Sequence, residues 1–371
     1  MKLAVILAFA SIRIALAQTA TPPTSPQPVL SAHSTLVLVP ALVRTKAGKL
    51  VFSLAAEDFT VRDDGVEQKV TLEQGTDSEP LVLVVAVETG GGGARQLDKY
   101  RNLGTLIEAV VGDVSHKIAV VGFDSTPKLL QDFTVDGDRV GRAIRDLSPG
   151  NGGAAILDGL SFSLYMLRQQ PPEYRRAILL ISETIDHESH TTLDEALREI
   201  SDTNTAIYSL GFSSLKSDVG HEASKLSSRD PGPPGGCMSN DPNADPSAGN
   251  SRLAQSWDCL SLLVPPLRAA KIAVLLGMNG LRRNVPESVA QLTGGEYFPF
   301  SNTRNLESSL LTISNHVPNR YVLSFQPQSP HSGLHSIELR LREYPNLAVT
   351  ARRSYWVDSE SVSQPAPEPQ P

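Results

Sequence analysis

Continuous apolar runs alternate with helix-like segments through the middle of the chain. Residues 81–87 (LVLVVAV), 117–123, 177–182 and 206–212 are almost entirely apolar, as strands buried on both faces of a parallel sheet require. Between these runs, apolar residues recur at intervals of three and four positions, for example within residues 103–111, and this spacing is typical of helices. We expect Thr192 and Glu195 to form a capping box at the start of one helix and Thr303 to cap the last helix. The alternation predicts an α/β fold with a doubly wound, mostly parallel, Rossmann-like sheet. Such sheets bind ligands beyond the carboxyl ends of their strands.

The two ends of the chain follow a different pattern. Residues 34–75 contain short stretches rich in β-branched residues, separated by turn residues. Near the other end, Ile337, Leu339 and Leu341 alternate with charged residues, which is the pattern of a strand with one buried face and one solvated face. We therefore predict that the two flanks pair into one small β module, in which residues 321–325 and 347–351 are companion strands.

Composition narrows the class of protein. The 371 residues include 33 Lys and Arg against 40 Asp and Glu, a formal charge of −7. A nucleic-acid-binding surface is usually basic, so this balance argues against a nucleic-acid partner. Apolar residues make up 40% of the chain, enough for a sizeable core rather than general disorder.

The first residues predict export. Residues 1–17 (MKLAVILAFASIRIALA) combine an early lysine, an apolar run and a small-x-small ending at Ala15-Leu16-Ala17, as in a cleaved signal peptide. An ordinary N-terminal helix or a membrane anchor is the alternative. After cleavage no segment has the length and apolarity of a transmembrane helix, so we expect a periplasmic or extracellular protein.

Further boundaries follow from composition. Residues 213–283 interrupt the strand–helix alternation, and they contain Cys237 and Cys259, the two cysteines of the chain. In an oxidising compartment we expect these cysteines to form a disulfide, two unpaired thiols being the alternative. The predicted segments are a signal peptide (1–17), a Pro/Thr/Ser-rich linker (18–33), an N-terminal β flank (34–78), the α/β domain with its insertion (79–316), a C-terminal β flank (317–357) and a Pro-rich tail (358–371).

Four short stretches, in their order along the chain, resemble a von Willebrand factor type A (VWFA) domain. The first predicted strand of the α/β domain ends in Glu88-Thr89-Gly90-Gly91-Gly92, residues 152–158 (GGAAILD) open a helix, the third strand ends in Ser182-Glu183, and residues 292–298 (LTGGEYF) end a helix before an edge strand. Residues 57–65 (EDFTVRDDG) are similar to an N-terminal signature of the VWFA-related family of exported proteins, many of them from Acidobacteria. The resemblance spans roughly residues 35–357 and implies the type A fold and an adhesion or protein-interaction role.

The resemblance also implies a location for a metal site. Type A domains often hold Mg²⁺ or Mn²⁺ on an Asp-x-Ser-x-Ser stretch, a Thr and a second Asp. On that pattern Glu88 takes the place of the first Asp, Gly90 and Gly92 replace the serines, Ala154 replaces the Thr and Glu183 replaces the second Asp. All three hydroxyls are missing, and the longer carboxylates suit near-ideal octahedral Mg²⁺ geometry poorly. We therefore expect a degenerate adhesion site that has no cofactor, with bound Mg²⁺ or Mn²⁺ disfavoured.

The sequence thus favours a non-enzymatic module that binds a protein partner through the rim of the sheet, including Thr89. The alternative is a zinc-dependent hydrolase or metal receptor that uses Glu183, His187 and His190, because histidine with carboxylate suits zinc. The spacing of these residues is not that of an HExxH helix. A solvated loop, with Glu88 and Glu183 as solvated carboxylates at strand ends, is the simplest interpretation, and a purely structural envelope protein is a further possibility.

Overall fold

The computed structural model describes residues 36–73, 79–112, 114–213, 284–328 and 331–358. The predicted signal peptide and linker, Cys237 and Cys259, nearly all of the predicted insertion, and the tail after residue 358 lie outside the described residues. The predictions for those segments therefore remain predictions.

The described middle of the chain forms a six-stranded sheet with the spatial order β10-β9-β8-β5-β6-β7. Strands β5, β6, β8, β9 and β10 run parallel to one another, and β7 is antiparallel at one edge. This arrangement confirms the predicted α/β fold with a mostly parallel sheet. Its strands are β5 (Leu81–Glu88), β6 (His116–Phe123), β7 (Pro127–Thr134), β8 (Arg175–Glu183), β9 (Ala206–Phe212) and β10 (Tyr297–Pro299).

Helices cover both faces of this sheet, and the side chains of β5 alternate between two cores. Leu83 and Val85 face α1, α2 and α6, whereas Val82 and Val84 face α3, α4 and α5. Because each side chain is buried on one face or the other, the whole strand is apolar until Glu88. The helices are α1 (Leu103–Val111), α2 (Gly137–Arg145), α3 (Ile156–Arg168), α4 (Leu193–Thr203), α5 (Val285–Thr293) and α6 (Thr303–His316).

Strand β7 and helix α2 were not predicted. The sequence of β7 (PKLLQDFT) mixes charged and apolar residues, and Leu129 and Leu130 are both exposed at this edge of the sheet. An edge strand with one solvated face gives a weaker signal than the continuous apolar run of a central strand. Its pairing with β6 is also irregular around Val120, where the register shifts.

The two ends of the chain form two four-stranded sheets, ordered β13-β1-β11-β4 and β14-β12-β2-β3, around one shared core. The predicted β module of the flanks is thus confirmed. β11 and β13, the two predicted companion strands, both pair with β1, whereas β12 lies in the other sheet and pairs with β2. The strands are β1 (Val37–Thr45), β2 (Phe59–Asp63), β3 (Val66–Gln68), β4 (Thr71–Leu72), β11 (Tyr321–Phe325), β12 (Gly333–Leu341), β13 (Leu347–Ala351) and β14 (Ser354–Val357).

Local signals set the helix ends. Thr192 and Glu195 form the predicted capping box at the start of α4. Helix α6 differs from the expectation that Thr303 caps it, because the cap is Asn302, whose side chain accepts from the backbone N–H of Asn305. Asparagine satisfies an otherwise unpaired N–H at this position as well as threonine does.

A buried arginine fastens the β module to the α/β domain. Arg352 is 4% exposed. Its guanidinium donates to the side chains of Ser201 at 3.1 Å and Asn204 at 2.8 Å, at the end of α4, and to the carbonyl of Leu38 in β1. Of the helices in the described part of the chain, none has the length and apolarity needed to cross a membrane.

Candidate functional site

The carboxyl ends of β5, β6 and β8 meet at one rim of the sheet, and Glu88 lies at its centre. The side chain is fully buried. One carboxyl oxygen, Oε1, accepts from the backbone N–H of Gly93 at 2.7 Å, and the other, Oε2, accepts from the backbone N–H of Glu183, also at 2.7 Å. The carboxyl group therefore joins the loop after β5 to the end of β8.

Burial sets the ionisation of this carboxyl. Removal from water raises the pKa of Glu88 to about 8, and the nearby charge of Glu183 acts in the same direction, although the two backbone N–H donors oppose both effects. Glu183 is itself 2% exposed. The expectation that these two glutamates are solvated carboxylates is therefore wrong, because the loops of the rim close over both of them.

Glycines at the rim allow two loops, the one after β5 and the one before α3, to contact each other through their backbones. A β-carbon on Gly90 would overlap the carbonyl oxygen of Gly153. Gly91 has a φ of 43°, in the left-handed region that glycine enters most easily, and its N–H donates to the carbonyl of Asn151 at 3.0 Å. A serine at position 90, as in a metal-ion-dependent adhesion site, is thus incompatible with this loop packing.

The remaining predicted rim residues are also committed to internal contacts. The hydroxyl of Thr89 donates to the carbonyl of Phe123 at 3.1 Å. Ala154 is fully buried, and its carbonyl accepts from the backbone N–H of His187 at 2.8 Å. Gly92 is buried and begins a short 3-10 turn over Gly93–Arg95.

The structure gives the two rim histidines different partners. Nε2 of His187 lies 3.6 Å from Oε1 of Glu183. The ring of His190 points to Asp158 instead, with Nδ1 3.3 Å from Oδ2, and its side chain is 90% exposed. Glu183, His187 and His190 are not among the groups of metal-ligating atoms that lie within 4.8 Å of one another in the described residues. Asp186, the residue before His187, is partly buried and accepts from the N–H of Leu157 at 3.0 Å.

Sequence reasoning missed Asp124, which organises the neighbouring loop. Its side chain is buried and accepts from the N–H groups of Thr126 at 3.0 Å and Asn151 at 3.2 Å, while Lys128 lies 3.1 Å away. The position could have been found, since Asp124 directly follows the apolar run of β6 and therefore lies at the carboxyl end of a strand.

The residues at the rim do not fit the octahedral Mg²⁺ or Mn²⁺ that type A domains hold. Gly90, Gly92 and Ala154 have no side-chain oxygen, and the two oxygens of Glu88 both accept backbone N–H groups. Mg²⁺ needs oxygen ligands in a nearly regular octahedron. What the rim offers is a tightly closed surface of backbone groups, with Asn151 and Gly152 exposed at its top.

Several solved structures match parts of this chain. BatB, a conserved hypothetical protein from Bacteroides thetaiotaomicron, is 14% identical, with 63% of this chain and 99% of that chain covered and a TM-score of 0.37. The vWF domain of the type V pili tip protein Mfa5 from Porphyromonas gingivalis is 21% identical, with 29% and 39% covered and a TM-score of 0.26. Proximal thread matrix protein 1 from the mussel byssus is 13% identical, with 39% and 38% covered and a TM-score of 0.33.

Type A domains are among the solved structures that match. The chain spans less than two fifths of the length of the Mfa5 and byssus structures, 39% and 38% respectively. No family model and no curated protein matches the chain. Similarity at this level defines neither a partner nor an activity.

Proposed function

We propose that this chain is an exported, non-enzymatic protein-interaction module of the type A kind, whose rim binds its partner without a metal ion. The observation that carries the proposal is the double hydrogen bond of Glu88. Both oxygens of the buried carboxyl accept backbone N–H groups at 2.7 Å, so the loops of the rim are held together from within. The adhesion site is degenerate because Glu88, at the position of its first carboxylate, uses both oxygens in hydrogen bonds to the backbone.

The exposed part of the rim suits contact with a polypeptide. Asn151, Gly152 and Glu188 are exposed, and Oε2 of Glu188 lies close to the point that a β-carbon on Gly153 would occupy. Glycine lets a partner's backbone approach closely, and the amide of Asn151 is anchored because its oxygen accepts from the N–H groups of Ser125 and Gly153, both at 3.0 Å. A surface of this kind recognises shape and hydrogen-bonding groups.

Export is part of the same proposal. It rests on the signal-peptide pattern of residues 1–17 and on the Pro/Thr/Ser-rich residues that follow. The location is then the periplasm or the cell exterior, where such a module contacts other envelope or extracellular proteins.

Gly152→Arg tests the rim directly. Gly152 is exposed, and a β-carbon there meets no other atom within 4 Å, so a side chain at this position starts from open space at the surface of the rim. Pull-down from the exported fraction is expected to lose its specific partner with this variant and to be unchanged by EDTA. Ser308→Arg, at an exposed position of α6, is the matched control. Capture that survives Gly152→Arg, or that EDTA abolishes while the fold persists, would contradict the proposal.

A further inference from the structure

The β module contains a second group of ionisable side chains, on elements that take no part in the rim. We propose that Asp64, His331 and His335 form a zinc-binding site that joins the two flanks of the chain. Their ligand atoms lie within 4.8 Å of one another, and no other group of three or more His, Cys, Asp or Glu side chains within the described ranges does so. The inference is independent of the proposed function of the rim.

The distances suit a metal with short bonds. Oδ2 of Asp64 lies 2.9 Å from Nδ1 of His335 and 3.2 Å from Nε2 of His331. Zinc binds imidazole nitrogen and carboxylate oxygen at about 2.0–2.2 Å, which places neighbouring ligand atoms of a tetrahedral site about 3.3 Å apart. Both separations lie within a few tenths of an ångström of that value. The rings of His331 and His335 stack with their centroids 4.0 Å apart, so zinc binding also requires the His331 ring to turn until both nitrogens face one ion.

The other polar atoms of two ligands are held by protein groups. Nε2 of His335 lies 2.8 Å from the carbonyl oxygen of His331, to which it can donate when Nδ1 faces the metal. Oδ1 of Asp64 accepts from the backbone N–H of Ser336 at 2.9 Å and from its hydroxyl at 3.0 Å. Ligands of metal sites are typically oriented by outer hydrogen bonds of this kind, which also raise the basicity of the coordinating nitrogen.

Asp63 and Tyr355 enclose the buried side of the cluster. Oδ1 of Asp63 lies 3.2 Å from Nδ1 of His335, and its Oδ2 accepts from the hydroxyl of Tyr355 at 2.8 Å. The ring of Tyr355 stacks on that of His335 with centroids 4.6 Å apart. Asp63 thus adds a second negative charge beside the proposed site, and zinc would displace the proton that Nδ1 of His335 otherwise shares with the two carboxylates.

The site also has an entry path. The side chain of His335 is 1% exposed, whereas that of His331 is 49% exposed. The imidazole of His331 therefore has room to turn its Nε2 toward a metal that arrives from solvent. A coordination position on this side can be filled by water, as in zinc sites with three protein ligands.

A tight hairpin fixes the aspartates opposite the histidines. Asp64 and Gly65, between β2 and β3, have φ values of 46° and 86°, the positive φ values that a two-residue type I′ turn requires. Strand β12 pairs with β2 so that Ile337 faces Asp63. Zinc at this point would tie together residues from the two flanks of the chain, more than 260 positions apart in the sequence, and it would stabilise the folded β module by selective binding.

The proposal is tested by measuring the zinc affinity of the whole chain that follows the predicted signal peptide. The protein is freed of metal with a chelator, loaded with zinc and dialysed, and zinc is then counted by elemental analysis and titrated in competition with a chromophoric chelator. We expect about one zinc per chain in the wild type. We expect the affinity to fall about tenfold or more in His331→Ala, because loss of a direct ligand should weaken binding at least as much as loss of an outer hydrogen bond does.

Two further variants make the result decisive. Asp64→Asn keeps the size and the tolerance for positive φ that the hairpin needs but removes the charge, so it should weaken zinc binding while far-UV circular dichroism stays unchanged. His190→Ala, at an exposed histidine of the rim, is the matched control and should bind zinc as the wild type does. An absence of stoichiometric zinc, or equal affinity in the wild type, His331→Ala and Asp64→Asn, would overturn the proposal. Loss of zinc in His190→Ala would move the site to the rim.

Discussion

The rim of the sheet and the hairpin tip of the β module both contain paired carboxylates beside histidines, yet they use them in opposite ways. At the rim, Glu88 is fully buried, and each of its oxygens accepts a backbone N–H. At the hairpin tip, Oδ2 of Asp64 faces two imidazole nitrogens, and one of those rings, His331, is half exposed. Both oxygens of Glu88 are thus used in hydrogen bonds to the backbone, whereas Oδ2 of Asp64 lies beside imidazole nitrogens that can bind a metal together with it.

The contrast shows that a residue aligned with a family's metal ligand and a residue placed to bind a metal are not the same. The order of the motifs predicted a metal site at Glu88. The residue types there differ from those of a metal-ion-dependent adhesion site, and the carboxyl group of Glu88 is buried. Asp64 lies in the stretch 57–65 that resembles the family signature, but the two histidines belong to no motif in the sequence, and the pairing of the two flanks brings His335 to Asp64. Each region can be tested by changing the group that distinguishes it.

The largest expected effect is on the folded rim itself. Glu88→Ala leaves two buried N–H groups without an acceptor, at about 1–3 kcal/mol each, so we expect the free energy of unfolding to fall by about 4 kcal/mol in urea titration. Asp98→Ala, at an exposed carboxylate beside the rim with an exposed arginine partner, should change it by less than about 1 kcal/mol. A loss in Glu88→Ala no larger than that in Asp98→Ala would mean that Glu88 does not hold the loops.

The pH dependence of stability is the next largest effect. Because burial raises the pKa of Glu88 from 4.5 to about 8, the folded state holds this proton more strongly than the unfolded state. The contribution is therefore fully favourable below pH 4.5 and is lost as pH rises through 8, by up to about 1.4 kcal/mol per pH unit. Comparing the wild type with Glu88→Gln between pH 5 and pH 9 isolates it. If the free energy of unfolding of the wild type rose relative to that of Glu88→Gln as the pH increased, the result would contradict the raised pKa of Glu88.

A smaller effect is expected from the contact between the two loops. Gly90→Ala places a methyl group against the carbonyl of Gly153, and overpacking of this kind typically costs about 1–3 kcal/mol. Gly152→Ala, in the loop that Gly90 touches, meets open space and should stay within about 0.5 kcal/mol of the wild type. If thermal melting finds the two variants equally stable, the loops do not pack as described.

The smallest effect is expected in the β module. Tyr355→Phe removes the hydroxyl that donates to Oδ2 of Asp63 at 2.8 Å, which we expect to lower the free energy of unfolding by about 1 kcal/mol. The zinc affinity should fall by less than in His331→Ala, because Tyr355 acts through Asp63. A larger loss of zinc than in His331→Ala would assign the hydroxyl a direct role.

The parts of the fold that depend on local pattern could be predicted, and those that depend on distant pairing could not. The apolar run at residues 81–87 identified a central strand, and Thr192-x-x-Glu195 identified a helix start. The assignment of β11 and β13 to one sheet rather than the other depends on contacts with β1, more than 270 positions away, which no local pattern encodes. The solvent exposure of Glu88 was misjudged for the same reason, since its carboxyl group is bound by Gly93, in the loop after β5, and by Glu183, at the end of β8.

The most direct test of the central claim, that the rim holds its shape without a metal ion, is thermal melting of His331→Ala in Mg²⁺, in Mn²⁺ and in EDTA. This variant removes the response of the β module, so any remaining shift of the midpoint reports binding elsewhere in the folded chain. The account predicts the same midpoint in all three conditions. A midpoint that rises with Mg²⁺ or Mn²⁺ and returns to the EDTA value when Glu88 is also replaced by alanine would show that the adhesion site still binds metal.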